Sequence, residues 1–415
     1  MSKRRVVITG LGALAPNGNS VVNFWSGLLA GKSGIQRVSY FDAEDFSVKI
    51  AGELSDFNAE DYFDRKELRK LDPFSIYGLV TAAEAITHSG LDVNTIDRDR
   101  AGVIIGSGVG GIQTLEDQHM VMQNKGSRRV SPFFVPKMIA NIAAGQIAIK
   151  FGLRGPNFTV VSACSSGSDA IGQAFRKIQY DETDVMITGG TEASVTPLTV
   201  AGFGNMKALS SSHNDAPEKA SRPFDKDRDG FVLGEGAGMI VLESLDHAQA
   251  RGANILAELS GYGATDDAFH ITQPAEGGAG AVKAITLALE DAGAQPEEIN
   301  YINAHGTSTH FNDKSESAAI RTVFGAYADV LKVSSTKSMT GHLLGASGAI
   351  AAVACVKAIQ DNKVPPTINY TTPDPECDLD YVPNTAQDLE CNAVMMNAFG
   401  FGGHNAVLVI RAWSA

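Results

Sequence analysis

Phe158-Thr159-Val160-Val161-Ser162-Ala163-Cys164-Ser165-Ser166-Gly167 passes from aromatic and β-branched residues into a run of small polar ones. The first kind favours a strand, and the serine-glycine cluster opens a helical run over Ser166–Tyr180. Cys164 therefore falls at a turn between a strand and a helix N-terminus. Unpaired amides and the helix dipole at such an end favour a thiolate, so the placement predicts a nucleophile with a lowered pKa. A cysteine can also be a small buried hydrophobe, which is the reading for Cys355 on its own helix.

The same alternation extends outward in both directions. Strands are expected at Val6–Thr9, Val103–Ile105, Phe158–Val161, Val185–Thr188, Met239–Leu242, Tyr301–Asn303 and Val407–Ile410. Helices are expected at Asp72–Ser89, Val135–Phe151, Ser166–Tyr180, Gly277–Ala292, Lys314–Phe324 and Leu344–Gln360. This is the pattern of an α/β protein whose sheets are covered by helices, and no flexible linker divides it. A faint repeat aligns Ser166-Gly167-Ser168-Asp169-Ala170-Ile171 with Ser347-Gly348-Ala349-Ile350-Ala351-Ala352, each after a β-rich run and a polar turn.

Bulk properties narrow the function classes. The 415 residues, 44% hydrophobic, can bury a large core, and the length suggests two domains or one duplicated one. A formal charge of −13 argues against nucleic-acid binding. Four cysteines without CxxC spacing read as reduced thiols, and no signal peptide is apparent, so a cytoplasmic protein is expected. Ser338–Val356 lacks formal charge, but its glycine, alanine, serine and histidine content suits a buried helix better than a membrane span.

Two motifs are decoys. Gly106-Ser107-Gly108-Val109-Gly110-Gly111 matches GxGxxG, yet no strand ending in an acidic residue follows to hold a ribose. Asp225-Lys226-Asp227-Arg228-Asp229-Gly230 resembles a calcium loop, but position twelve is Gly236 where a bidentate glutamate is needed.

Two histidines turn Cys164 from packing into chemistry. Asn303-Ala304-His305-Gly306-Thr307-Ser308-Thr309 ends a strand in a glycine-hinged turn, and Lys337-Ser338-Met339-Thr340-Gly341-His342 does the same later in the chain. A pair of this kind is better explained by a shared cleft than by two structural histidines. Cysteine with histidine alone also fits a protease.

The full set is more specific. Ala163-Cys164-Ser165-Ser166-Gly167, Pro223-Phe224-Asp225, Arg228 to Gly238, Asn303 to Thr309, Lys337 to His342 and Gly400-Phe401-Gly402-Gly403 resemble, in order and across nearly the whole chain, the motifs of β-ketoacyl-acyl carrier protein synthases, most closely the elongating type II branch.

That resemblance implies a duplicated thiolase-like fold in five layers, α-β-α-β-α, working as a homodimer, with halves at 1–253 and 254–415. It implies condensation of an acyl thioester held on Cys164 with a malonyl thioester, both delivered by acyl carrier protein, in fatty acid elongation. Amides of Cys164 and Phe401 would form an oxyanion hole, and His305 and His342 would stabilise the enolate left by decarboxylation. Lys337 and Glu316 would pair to orient and charge-balance the histidines. Phe401 and Phe203 would gate the site, and Val109 would line the acyl pocket. No metal, nicotinamide or flavin is implied.

Docking of an acidic carrier would draw on Arg65, Lys66, Arg69, Lys70, Arg128, Arg129 and Lys207. His310, Phe311 and His404 depart from the common family residues and bear on pocket shape. A polyketide ketosynthase subunit would keep the same cysteine and histidines. A non-catalytic chain-length partner normally lacks the cysteine, and chain-initiating synthases carry asparagine in place of the second histidine.

Overall fold

The computed structural model describes residues 3–414. Ten strands form one hydrogen-bonded array: β1 (Val6–Leu14), β2 (Ala101–Gly106), β3 (Asn157–Val160), β4 (Val185–Glu192), β5 (Gly236–Ser244), β6 (Ala257–Asp266), β7 (Tyr301–Asn303), β8 (Lys332–Ser334), β9 (Ala393–Gly400) and β10 (His404–Arg411). Their spatial order is β8-β7-β9-β10-β6-β1-β5-β4-β2-β3.

Outward from the β1–β6 junction, each half runs antiparallel, antiparallel, parallel, parallel. The first half is β1-β5-β4-β2-β3. The second is β6-β10-β9-β7-β8. Among the described residues, the strand ladder between them runs over Val6–Ile8 against Ala257–Leu259. The duplication is thus complete in topology although the sequence carries only a short trace of it.

The helices repeat in step. α1 (Pro73–Ser89), α2 (Ile142–Phe151) and α3 (Ser166–Gln179) occupy the same places in the first half as α4 (Ala279–Ala292), α5 (His310–Phe324) and α6 (Ser347–Asp361) in the second. α1 and α2 pack outside the first sheet and α4 and α5 outside the second, while α3 and α6 lie between the sheets. Five layers, α-β-α-β-α, result. α6 touches β9 of its own half and β5 of the other, so every face meets protein, and its long apolar run is a core feature.

Small residues make that middle layer possible. A Cβ on Gly348 would lie 1.9 Å from Ser168 Oγ, and one on Gly106 would lie 2.2 Å from the carbonyl carbon of Ser166. The repeated Ser-Gly pairs therefore mark where α3 and α6 cross. Gly106→Ala is expected to destabilise the protein by about 1–3 kcal/mol, because β2 would have to move from the helix start that follows Cys164. A thermal melt beside that of the unmodified chain checks it.

Local signals account for the element ends. Asp72 caps α1, with Pro73 in the first turn and Gly90 left-handed at φ 63° beyond the last. The helix expected over Val135–Phe151 is instead two, broken at extended Ile139. The cause is tertiary: the Met138 carbonyl accepts from Gly111 N at 3.0 Å, so the glycine turn after β2 claims an acceptor that a continuous helix would use. β9, with the sequence Ala-Val-Met-Met-Asn-Ala-Phe-Gly, and the helices Val21–Leu29 and Ile112–Lys125 were not expected from the sequence.

Candidate active site

Cys164 lies in a single 3-10 turn, Ala163–Ser165, between β3 and α3, and Ala163 is held at φ 50°. Ser165 Oγ donates to the carbonyls of Ala398 and His404, both at 3.0 Å, which ties the cysteine turn to the β9–β10 hairpin. That hairpin carries Gly400-Phe401-Gly402-Gly403, with Gly402 and Gly403 at φ 87° and 86°. Only glycine adopts such angles without strain, so the turn can bring the Phe401 amide to the sulfur.

The thiol differs from the sequence expectation. Burial pushes Cys164 up to about 11, and the nearby amides of Phe401 and Cys164 with the Lys337 charge only partly offset it. The helix end does favour the thiolate, but the desolvation of a buried sulfur anion outweighs that help.

His305 follows β7 and His342 follows the short helix Lys337–Thr340. Their rings stand 5.3 Å apart at 84°, and ligating atoms of Cys164, His305 and His342 all fall within 4.8 Å of one another. Both imidazoles are held well below the usual histidine range, first by burial and then by the Lys337 charge. They are neutral donors or acceptors at physiological pH. His342 Nδ1 bonds Ser347 Oγ at 2.7 Å, so the first residue of α6 orients the ring. His305 Nδ1 is buried without a partner among the described residues.

Glu316 does not clasp Lys337. Its carboxylate accepts from the backbone N–H groups of His305 and Gly306, each at 2.8 Å, and from Asn397 Nδ2 at 3.0 Å. It shapes the His305 turn by direct bonds and reaches Lys337 through its field alone. Burial brings Lys337 down to about 8, with Glu316, Cys164 and Asp313 opposing that shift.

The Pro223–Gly238 motif frames both histidines. Asp313 accepts from Phe224 N at 2.8 Å and Thr307 N at 3.0 Å, beside the buried Arg228 guanidinium, and His342 N donates to the Val232 carbonyl at 2.7 Å. Its aspartates diverge: Asp225 accepts from Thr371 and Thr372 N–H, and Asp229 from Ser210, Ser211 and Ser212. They form no calcium cage.

A cavity of about 410 Å³ opens over this cluster, lined among others by Val109, Phe203 and Phe401. The Phe203 and Phe401 rings face each other at 6.4 Å and 50°. His310, Phe311 and Lys207 also line it, whereas His404 lies behind the glycine turn, 3.5 Å from Asp266. Arg65, Lys66, Arg69, Lys70, Arg128 and Arg129 are exposed but do not line the cavity. Sequence reasoning missed Thr272-Gln273-Pro274, a wall supplied by the loop after β6, and Ser347 as the His342 partner. The loop stands in no motif that a local pattern would single out, and Ser347 heads the Ser-Gly repeat without any sign there of its bond to His342.

Family models agree with this geometry. Residues 3–248 match the N-terminal domain of beta-ketoacyl synthase and residues 256–371 its C-terminal domain. The chain belongs to the β-ketoacyl synthase family. It is 54% identical over 412 residues, 99% of either chain, to a Staphylococcus aureus protein named 3-oxoacyl-[acyl-carrier-protein] synthase 2. It is 51% identical over 413 residues to a Synechocystis protein of the same name, covering 100% of this chain and 99% of that one.

Among solved structures, a beta-ketoacyl synthase from Burkholderia phymatum superposes with a TM-score of 0.92 at 35% identity, covering 99% of this synthase and all of that chain. A type II PKS ketosynthase, solved with its acyl-carrier protein, gives 0.93 at 36% with the same coverage.

Proposed function

We propose that this synthase condenses acyl-acyl carrier protein with malonyl-acyl carrier protein, giving β-ketoacyl-carrier protein, carbon dioxide and free carrier in fatty acid elongation. The observation that carries the reading is one cavity holding a buried thiol, two neutral imidazoles and two backbone amides aimed at the sulfur.

Cys164 sulfur attacks the acyl thioester carbon, its carbonyl oxygen becomes an oxyanion held by the Cys164 and Phe401 N–H groups, and the carrier thiol leaves with the thiol proton. Malonyl thioester then enters past Phe401 and Phe203. Its C–CO₂ bond breaks, and the electron pair moves into the thioester as an enolate whose oxygen takes hydrogen bonds from His305 and His342. His342 Nδ1 pairs with Ser347 Oγ, and the tautomer in which that hydroxyl donates keeps the ring proton on Nε2, free for the enolate oxygen. The enolate carbon attacks the Cys164 thioester, the C–S bond breaks to release the product, and the Cys164 thiolate takes a proton from water to return to the thiol. Lys337 and Glu316 hold the electrostatic balance around the histidines, and Val109 bounds the acyl pocket.

Lys207 at the cavity mouth, with exposed Arg65, Lys66, Arg69, Lys70, Arg128 and Arg129, offers positive charge to an acidic carrier. A homodimer in the cytoplasm completes the reading. Strand β3, at the edge of the array among the described residues, exposes Phe158 at 37% and the adjoining Val161 at 58%, which suits it to meet a second copy.

A polyketide ketosynthase shares this site, but the full-length identity of 51–54% to 3-oxoacyl-carrier synthases favours fatty acid elongation. The test incubates the protein with acyl-carrier proteins of several chain lengths and malonyl-carrier protein, and follows acyl-Cys164 and product by intact mass. Product from medium and long chains is expected. Acylation without condensation, or none, would favour a subunit that needs another partner.

A further inference from the structure

One buried carboxylate near the site has no part in this scheme. Glu192 ends β4 and is fully buried. Oε1 accepts from Ser107 Oγ at 3.0 Å and Val109 N at 3.2 Å. Oε2 accepts from Gly108 N at 2.7 Å and Gly345 N at 2.9 Å. Three donors thus come from the turn after β2, which carries Val109, and the fourth from the turn after His342. Leu344, beside Gly345, lines the same cavity as Val109.

The two turns touch through this carboxylate with no room to spare. A Cβ on Gly345 would sit 2.3 Å from Gly108 N and 2.7 Å from Glu192 Oε2, and one on Gly108 would sit 2.9 Å from the same oxygen. Four donors to one carboxylate, from segments of both halves, give charge-assisted bonds that hold the turns in a single register.

We propose that Glu192 is a positioning residue: it locks the Ser107–Val109 wall of the acyl pocket against the Leu344–Gly345 turn of the histidine half, and so helps set which acyl chains load onto Cys164. This rests on the acyl-loading reading above. A second effect is electrostatic, because the Glu192 charge opposes ionisation of Cys164. A buttress that only stabilised the fold would affect all substrates alike.

The test uses the full chain with Glu192→Gln. The amide keeps the volume but turns an NH₂ toward N–H donors, so one side of the clamp opens. Loading of Cys164, followed by intact mass, is expected to fall about ten- to a hundredfold for long acyl chains, the scale of a misplacement near 1 Å. Short chains, which reach less of the Val109 wall, should lose much less.

Alkylation by iodoacetamide, which needs no substrate, should shift its pH midpoint downward. Ser107→Ala removes one donor and is expected to give a smaller change with the same chain-length trend, which keeps the test available if the first variant does not fold. Equal loss at every chain length, or no loss, overturns the proposal. Unmodified protein that no acyl carrier loads would instead overturn the function reading.

Discussion

Cys164→Ala is expected to abolish condensation, by at least about a thousandfold, while malonyl decarboxylation persists. The size follows from removing the sulfur that takes the acyl group, and losing a nucleophile of this kind costs several orders of magnitude elsewhere. Persistence follows from the geometry. His305 and His342 are positioned by Glu316, Ser347 and the Val232 carbonyl, none of which depends on the sulfur. Intact-mass measurement of acyl loading, with carbon dioxide release from malonyl-carrier protein, reads both halves in one preparation. Retained condensation would show that another group carries the acyl chain.

His305→Asn and His342→Asn are expected to lower decarboxylation by about 10²–10³ each, the usual effect of deleting one donor to a developing oxyanion. Acyl loading of Cys164 should fall less. The pH profile carries a further expectation. Burial and the Lys337 charge hold both imidazoles well below 6.5, so they stay neutral as the solution passes through that value. Decarboxylation by the unmodified protein should therefore remain level from about pH 7.5 to below 6.5, where an ordinary histidine would protonate. A rate that followed a midpoint near 6.5 would contradict it.

The stability consequence has a definite sign. Below 6.5 the unfolded chain binds protons at these two histidines while the folded chain does not, so acidification through that range favours unfolding. A thermal midpoint that drops as pH falls from 7 to 5, less so in the His342→Asn variant, is the expected observation.

Much of the site was legible because its signals are short-range. A strand, a small-residue turn and a helix start around Cys164 occupy ten consecutive residues, and the glycine-hinged turns at His305 and His342 are equally compact. The reading went astray where burial sets the energy. A lowered pKa was expected for Cys164 from its helix end, yet enclosure raises it to about 11. Lys337 and Glu316 are expected from the resemblance to orient and charge-balance the histidines, but the bonds by which Glu316 holds the backbone N–H groups of His305 and Gly306 are displayed by no sequence pattern.

By itself, then, the sequence determined the chemistry on offer: a cysteine at a helix start, two histidines at strand ends, and alternating elements sufficient for a layered α/β fold. Local propensity and capping act over a few residues, so they survive in the linear text. The duplication that the Ser-Gly repeat and the motif resemblance imply is realised strand for strand, but the tertiary structure alone decided that α3 and α6 cross through glycine contacts and that Glu192 meets Gly345 across 153 residues of chain. Such contacts depend on which buried surfaces pack together and on satisfying polar groups once water is excluded, and neither leaves a periodic trace in the sequence.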